Sequence, residues 1–224
     1  AFRWSFVSIV ASCHNQFGKM WECPDLFTLD GKSVLLISAQ EMQSIGLEFH
    51  PGNGNFCLIG SFDKKAHHLL RENVQAIDYG TDFYAPQTLK TPDGRRVMIA
   101  WMQSWESSGC KMKNLPFFGQ MTLPRELSVV DGRLIQNPVR ELEQQRTTKV
   151  SYQNVMVTEE TNLQGIKGRK VDMTVWIRPV GDQHVYRYFM INVAKDGEWV
   201  TKIRVKPENS TIRVDRSRSG LPYD

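Results

Sequence analysis

Glu22 stands in unusual company. In "GKMWECPDLF" it follows Met20 and Trp21 and is followed at once by Cys23 and Pro24. Carboxylates normally sit among polar neighbours and in water. If Met20 and Trp21 cover this one, loss of hydration disfavours the anion, and an acid that keeps its proton can protonate a leaving oxygen. Pro24 would stiffen the backbone behind it. The residues alone leave a second option open, a structural glutamate at a strand terminus with a satisfied partner.

A second set of chemical groups lies in "DYGTDFYAPQTL", which puts Asp78 and Asp82 beside Phe83 and Tyr84. Acids interleaved with aromatics suit a sugar, because carboxylates grip hydroxyl pairs while rings cover the C–H faces. Asp82 taken singly reads more readily as a turn or hairpin residue than as a ligand group. In "RRVMIAWMQSW" both parities are apolar, so the strand is expected to be covered on both faces, with Trp101 in the core or on a site wall. Trp105 sits where a loop begins and could serve as a sugar platform. Lys111 and Lys113 are candidate phosphate contacts, or else ordinary solvated charge. "FFGQMTLPREL" reads as scaffold.

The elements that must hold these groups are strands. Four Asp-Gly pairs, in "TLDGKSV", "TPDGRRV", "VVDGRLI" and "AKDGEWV", separate short runs rich in β-branched and aromatic residues. Strands are expected near Val34–Ser38, Phe56–Phe62, Val97–Met102, Leu127–Val130, Val171–Ile177 and Val185–Val193. The class is all-β: sandwich, barrel or propeller. "QNPVRELEQQRTTKV" breaks the texture and reads as a short polar helix with Pro138 in its first turn. It divides residues 1–136 from 149–224, with 137–148 as the linker. No strict internal repeat is visible.

Composition bounds the rest. The 224 residues are 41% apolar and 23% charged, with a net charge of +4 and no block of like charge. That gives little support for a nucleic-acid or membrane-surface partner, and no apolar run approaches a membrane span. The four cysteines, Cys13, Cys23, Cys57 and Cys110, have no CxxC or zinc-like spacing and read as reduced thiols, which leans toward a cytoplasmic setting.

Taken together, "WECPDLF", "DYGTDFYAPQTL", "AWMQSW" and "MTLPREL" resemble, in order, segments of glycoside hydrolase family 32, the β-fructofuranosidases (invertases, sucrose-6-phosphate hydrolases, inulinases, levanases). "DRSRSG" is similar to a segment of that family's C-terminal sandwich. The resemblance implies a five-bladed β-propeller joined to a β-sandwich and a retaining hydrolysis of fructosides without cofactor or metal. Glu22 would be the general acid/base, Asp82 and Tyr84 would border the sugar pocket, and Trp101 would form an aromatic wall. The family's nucleophile motif, Asn-Asp-Pro-Asn-Gly, and its Arg-Asp-Pro motif do not occur in this sequence. The expectation is therefore the later blades, 1–136, with part of the sandwich, 149–224. Such a chain would carry the acid/base half of a two-carboxylate site, be inactive alone, and be prone to self-association through open sheet edges. A fructosyltransferase, a related propeller glycosidase acting on arabinans or xylans, a non-catalytic carbohydrate-binding protein and a purely structural protein remain as alternatives.

Overall fold

The computed structural model describes residues 2–103, 119–168, 170–181 and 186–220. Trp105, Cys110, Lys111 and Lys113 lie outside them. The fold is all-β. The described residues form eleven strands: β1 (Met20–Leu29), β2 (Lys32–Met42), β3 (Gly52–Asp63), β4 (His68–Ala76), β5 (Tyr84–Lys90), β6 (Arg96–Trp101), β7 (Arg125–Val130), β8 (Arg133–Pro138), β9 (Phe189–Asp196), β10 (Trp199–Lys206) and β11 (Thr211–Arg218). The chain divides into two compact units, Ala1–Leu142 and Glu143–Asp224.

The first unit consists of two antiparallel four-stranded meanders, β1-β2-β3-β4 and β5-β6-β7-β8. Their simplest turns follow from sequence. Asp30-Gly31 and Asp131-Gly132 each join two strands with positive φ at both residues, as a two-residue hairpin of matching twist requires. Asp93-Gly94 lies in a longer loop between β5 and β6, and Asp196-Gly197 leads from β9 into β10.

In β2 the run "SVLLISA" is buried at every position, and its two parities go to two cores. Val34 and Leu36 pack with Phe27, Cys57, Ile59 and residues of the second meander, among them Phe83, Met98 and Leu127. Leu35 and Ile37 pack on the other side with Phe17, Phe49, Phe56 and Leu58. A sheet covered on both faces is what a propeller blade requires, and it explains why β2 and β3 read as continuous apolar runs. Burial also makes Cys57 inert: desolvation pushes its thiol up to about 12. Gly60 is needed for close approach, since a Cβ there would lie 2.0 Å from the carbonyl oxygen of Leu70.

Both meanders carry the same irregularity in their first strand. In β1, Cys23 and Pro24 stand opposite the single residue Ile37, between the pairs Glu22–Ser38 and Asp25–Leu36. In β5, Ala85 and Pro86 stand opposite Ala100, between Tyr84–Trp101 and Gln87–Ile99. Each bulge places a non-glycine residue with positive φ directly before proline, Cys23 at 48° and Ala85 at 51°. Glu22 and Tyr84 thus occupy equivalent positions in the two blades, a repeat of geometry that the sequence hides because only the proline is shared.

The second unit contains a three-stranded antiparallel sheet, β11-β10-β9. Two expectations are corrected here. Val171–Ile177 forms no strand: its alternating apolar residues are exposed, Val171, Met173 and Val175 among them. The linker turn is a 3₁₀ segment, Arg140–Gln145, and Pro138 closes β8 opposite Arg125 instead of opening a helix. No helix among the described residues is long and apolar enough to cross a membrane.

Two stability measurements check this packing. Leu36→Ala removes a fully buried side chain from the inter-blade core and is expected to cost about 2–5 kcal/mol in denaturant unfolding of the first unit. Leu26→Ala, at a residue 43% exposed, should cost under about 0.5 kcal/mol. At the β5–β6 loop, hydrogen bonds from Thr91 Oγ1 and then Arg95 hold Asp93 down at about 2, below its usual 3.8. Its contribution to stability is therefore present above about pH 4 and lost as pH falls through 2. Asp93→Asn should flatten that part of an acid-unfolding profile.

Candidate active site

The two bulges face one another, and their side chains interlock. Tyr84 Oη donates to Glu22 Oε2 at 2.8 Å, and Gln40 Nε2 donates to the same oxygen at 2.8 Å. Gln87 Nε2 donates to the Cys23 carbonyl at 3.1 Å. One turn further on, the Thr88 backbone N–H and its Oγ1 both donate to Asp25 Oδ2 at 2.7 Å, while Arg96 Nη1 donates to Thr88 Oγ1 at 3.1 Å. The first strands of the two blades are thus stitched side chain to backbone along the bulged stretch. Bulges commonly re-aim side chains in this way, and here they turn Glu22 and Tyr84 toward each other.

Met20 and Trp21 do not enclose Glu22. Met20 is exposed, and Trp21 points to the opposite face, where its indole packs edge-on against Phe56 and donates to the Phe17 carbonyl at 2.8 Å. Alternation along the strand separates neighbours in sequence onto different faces. Glu22 itself is half-buried, and among the described residues it makes no ion pair and its second oxygen, Oε1, accepts no hydrogen bond.

Tyr84 is buried, and its hydroxyl is held well above its ordinary range, first by desolvation and then by the Glu22 hydrogen bond and charge. It stays a neutral donor at any physiological pH. Trp101 closes β6 directly opposite Tyr84 in register and forms an isolated bridge with Met121. Asp82 is half-buried, two residues before Tyr84 in the segment that enters β5. Glu22 and Tyr84 are in direct contact, with Trp101 the cross-strand partner of Tyr84 and Asp82 two residues before it.

Residues that the sequence reading passed over complete the arrangement. Ser38 pairs with Glu22 across β1–β2 and with Asn55 across β2–β3, so the three form one row on the inter-blade face. A polar residue at core parity within "LLISA" and "NFCLIG" was the available signal for Ser38 and Asn55. Gln40 had none. At Asp78, a 2.8 Å ion pair with Arg125, whose guanidinium lies 4.7 Å from the Phe83 ring centroid, braces the same segment. No group of three or more metal-ligating side chains occurs among the described residues.

Comparison with known proteins places this geometry. The profile of the glycosyl hydrolases family 32 N-terminal domain matches residues 1–138. A sucrose-6-phosphate hydrolase of Staphylococcus xylosus is 30% identical over 97% of this chain and 43% of its own length. A probable sucrose-6-phosphate hydrolase of Psychromonas ingrahamii is 36% identical over 71% of this chain and 28% of its own. The chain thus spans less than half the length of these relatives. Among solved structures, the family 32 β-fructofuranosidase of Bombyx mori superposes with a TM-score of 0.68 at 26% identity, covering 96% of this chain and 44% of that one. The all-β chain accordingly shares the propeller-and-sandwich architecture of its family 32 structural neighbours. With its N-terminal domain profile matched over more than half its residues, the chain belongs to glycosyl hydrolase family 32.

Proposed function

We propose that this chain contributes the general acid/base of a retaining β-fructofuranosidase, with Glu22 in that role. The observation that carries the reading is the asymmetry of its carboxyl group. Oε2 accepts hydrogen bonds from both Tyr84 and Gln40. A proton on Oε2 would require the Tyr84 hydroxyl to reverse from donor to acceptor and the Gln40 amide to turn away, whereas a proton on Oε1 leaves both bonds in place. In the acid form the proton therefore resides on Oε1. Oε1–H would protonate the oxygen leaving C2 of the fructosyl unit, and Oε1 would afterwards take a proton from the attacking water. Tyr84 and Gln40 keep the carboxyl plane fixed through both steps.

Trp101 and Asp82, flanking this pair, are assigned to the fructosyl-binding wall and rim. The substrate is sucrose, sucrose 6-phosphate or a fructan, and the names of the two similar hydrolases favour the phosphorylated sugar. Retaining chemistry also needs a nucleophilic carboxylate about 5 Å from the acid/base. The motifs that supply it and its companion aspartate in this family do not occur in the sequence. The isolated chain is therefore expected to bind sugar without cleaving it.

The test is a turnover assay of the purified chain on sucrose, sucrose 6-phosphate and inulin beside calorimetric titration of the same sugars. Expected are no product and weak binding that survives Glu22→Gln and weakens at least several-fold in Trp101→Ala. Turnover abolished by Glu22→Gln would overturn the expectation of inactivity and place a working nucleophile among these residues. Absence of any sugar binding would leave the family assignment intact and remove the site assignment.

A further inference from the structure

The first blade holds Tyr84 by the backbone on both sides. Asn55 Nδ2 donates to the carbonyl of Phe83 at 2.5 Å, and the Ala85 N–H donates to Ser38 Oγ at 3.1 Å. Ser38 Oγ in turn donates to Asn55 Oδ1 at 2.9 Å. These bonds clasp the two peptide groups that flank Tyr84, and the Tyr84 hydroxyl then returns to Glu22, which lies in the same cross-strand row as Ser38 and Asn55. The result is a closed circuit from β1 through β2 and β3 to β5 and back.

Both side chains are buried, Ser38 at 0% exposure and Asn55 at 5%. The positions below them on the same face are Leu36 and Cys57, part of a wholly apolar core. A hydrophobic pair would fill such sites at no desolvation cost, whereas buried polar groups stabilise only when every partner is in place. Here the pair spans two blades and supports the one strained residue of the β5 bulge, Ala85 at φ 51°. Strain of this kind persists only where surrounding contacts over-determine it.

We infer that Ser38 and Asn55 are positioning residues: they fix the backbone at Tyr84 so that its hydroxyl stays on Glu22 Oε2 and leaves Oε1 to carry the proton. The inference rests on the assignment of Glu22 as acid/base. Neither residue touches the substrate; both act through Tyr84.

The experiment uses the whole chain labelled with 13Cζ-tyrosine, with the Tyr84 resonance assigned by its loss in Tyr84→Phe. In the wild type, the Tyr84 signal is expected to follow protonation of Glu22 on acidification, and this response should vanish in Glu22→Gln. Ser38→Ala and Asn55→Ala should each reduce the Tyr84 response at least two-fold and leave the other tyrosine resonances in place. A folded variant with the full Tyr84 response would overturn the positioning role while leaving the Glu22–Tyr84 contact intact. A wild-type Tyr84 signal indifferent to Glu22→Gln would overturn that contact and the inference with it. Ser38→Ala, which keeps the Asn55–Phe83 bond, carries the test if Asn55→Ala does not fold.

Discussion

Donors from two propeller blades converge on one atom, Oε2 of Glu22. The first blade reaches it through Gln40 and the second through Tyr84. Apolar packing of Leu36, Cys57, Phe83 and Met98 sets the distance between the blades. The row Glu22–Ser38–Asn55 then ends that core in polar groups at its rim. Because a hydrogen bond weakens steeply with misalignment, the chemistry depends on the packing beneath it.

The bulges are the second part of this device. A regular strand would alternate Glu22 and its successors without changing direction. The inserted residue shifts parity, so Trp21 serves one core while Glu22, Asp25 and Phe27 all serve the other. A positive φ before proline is a costly backbone state, about 1–3 kcal/mol for a non-glycine residue. It occurs in both blades at the point nearest the site. Gln87 on the Cys23 carbonyl and Ser38 on the Ala85 N–H hold the two strained residues in place.

Much of this was legible in the residues, and the illegible parts have a common cause. Hairpins at Asp30-Gly31 and Asp131-Gly132, and the doubly buried strand "SVLLISA", follow from local chemistry, and local chemistry is written in order along the chain. Glu22 stood out for the wrong reason. Its apolar neighbours Met20 and Trp21 do not surround it; the residues that do, Gln40 and Tyr84, lie 18 and 62 positions away. Ser38 and Asn55 escaped notice because a buried polar pair looks like two ordinary strand residues until register joins them. Val171–Ile177 shows the reverse error: alternation alone does not make a strand where no neighbouring strand pairs with it.

With Tyr84 and Gln40 both bonded to Oε2, Glu22 in its acid form is expected to carry its proton on Oε1. Neutron diffraction from deuterated crystals of the chain, grown at a pH where Glu22 is protonated, tests it directly. Expected is a deuteron on Oε1, with the Tyr84 hydroxyl and Gln40 amide deuterons both pointing at Oε2. A deuteron on Oε2, or a Glu22 side chain turned away from Tyr84 into surface ion pairs, would contradict it.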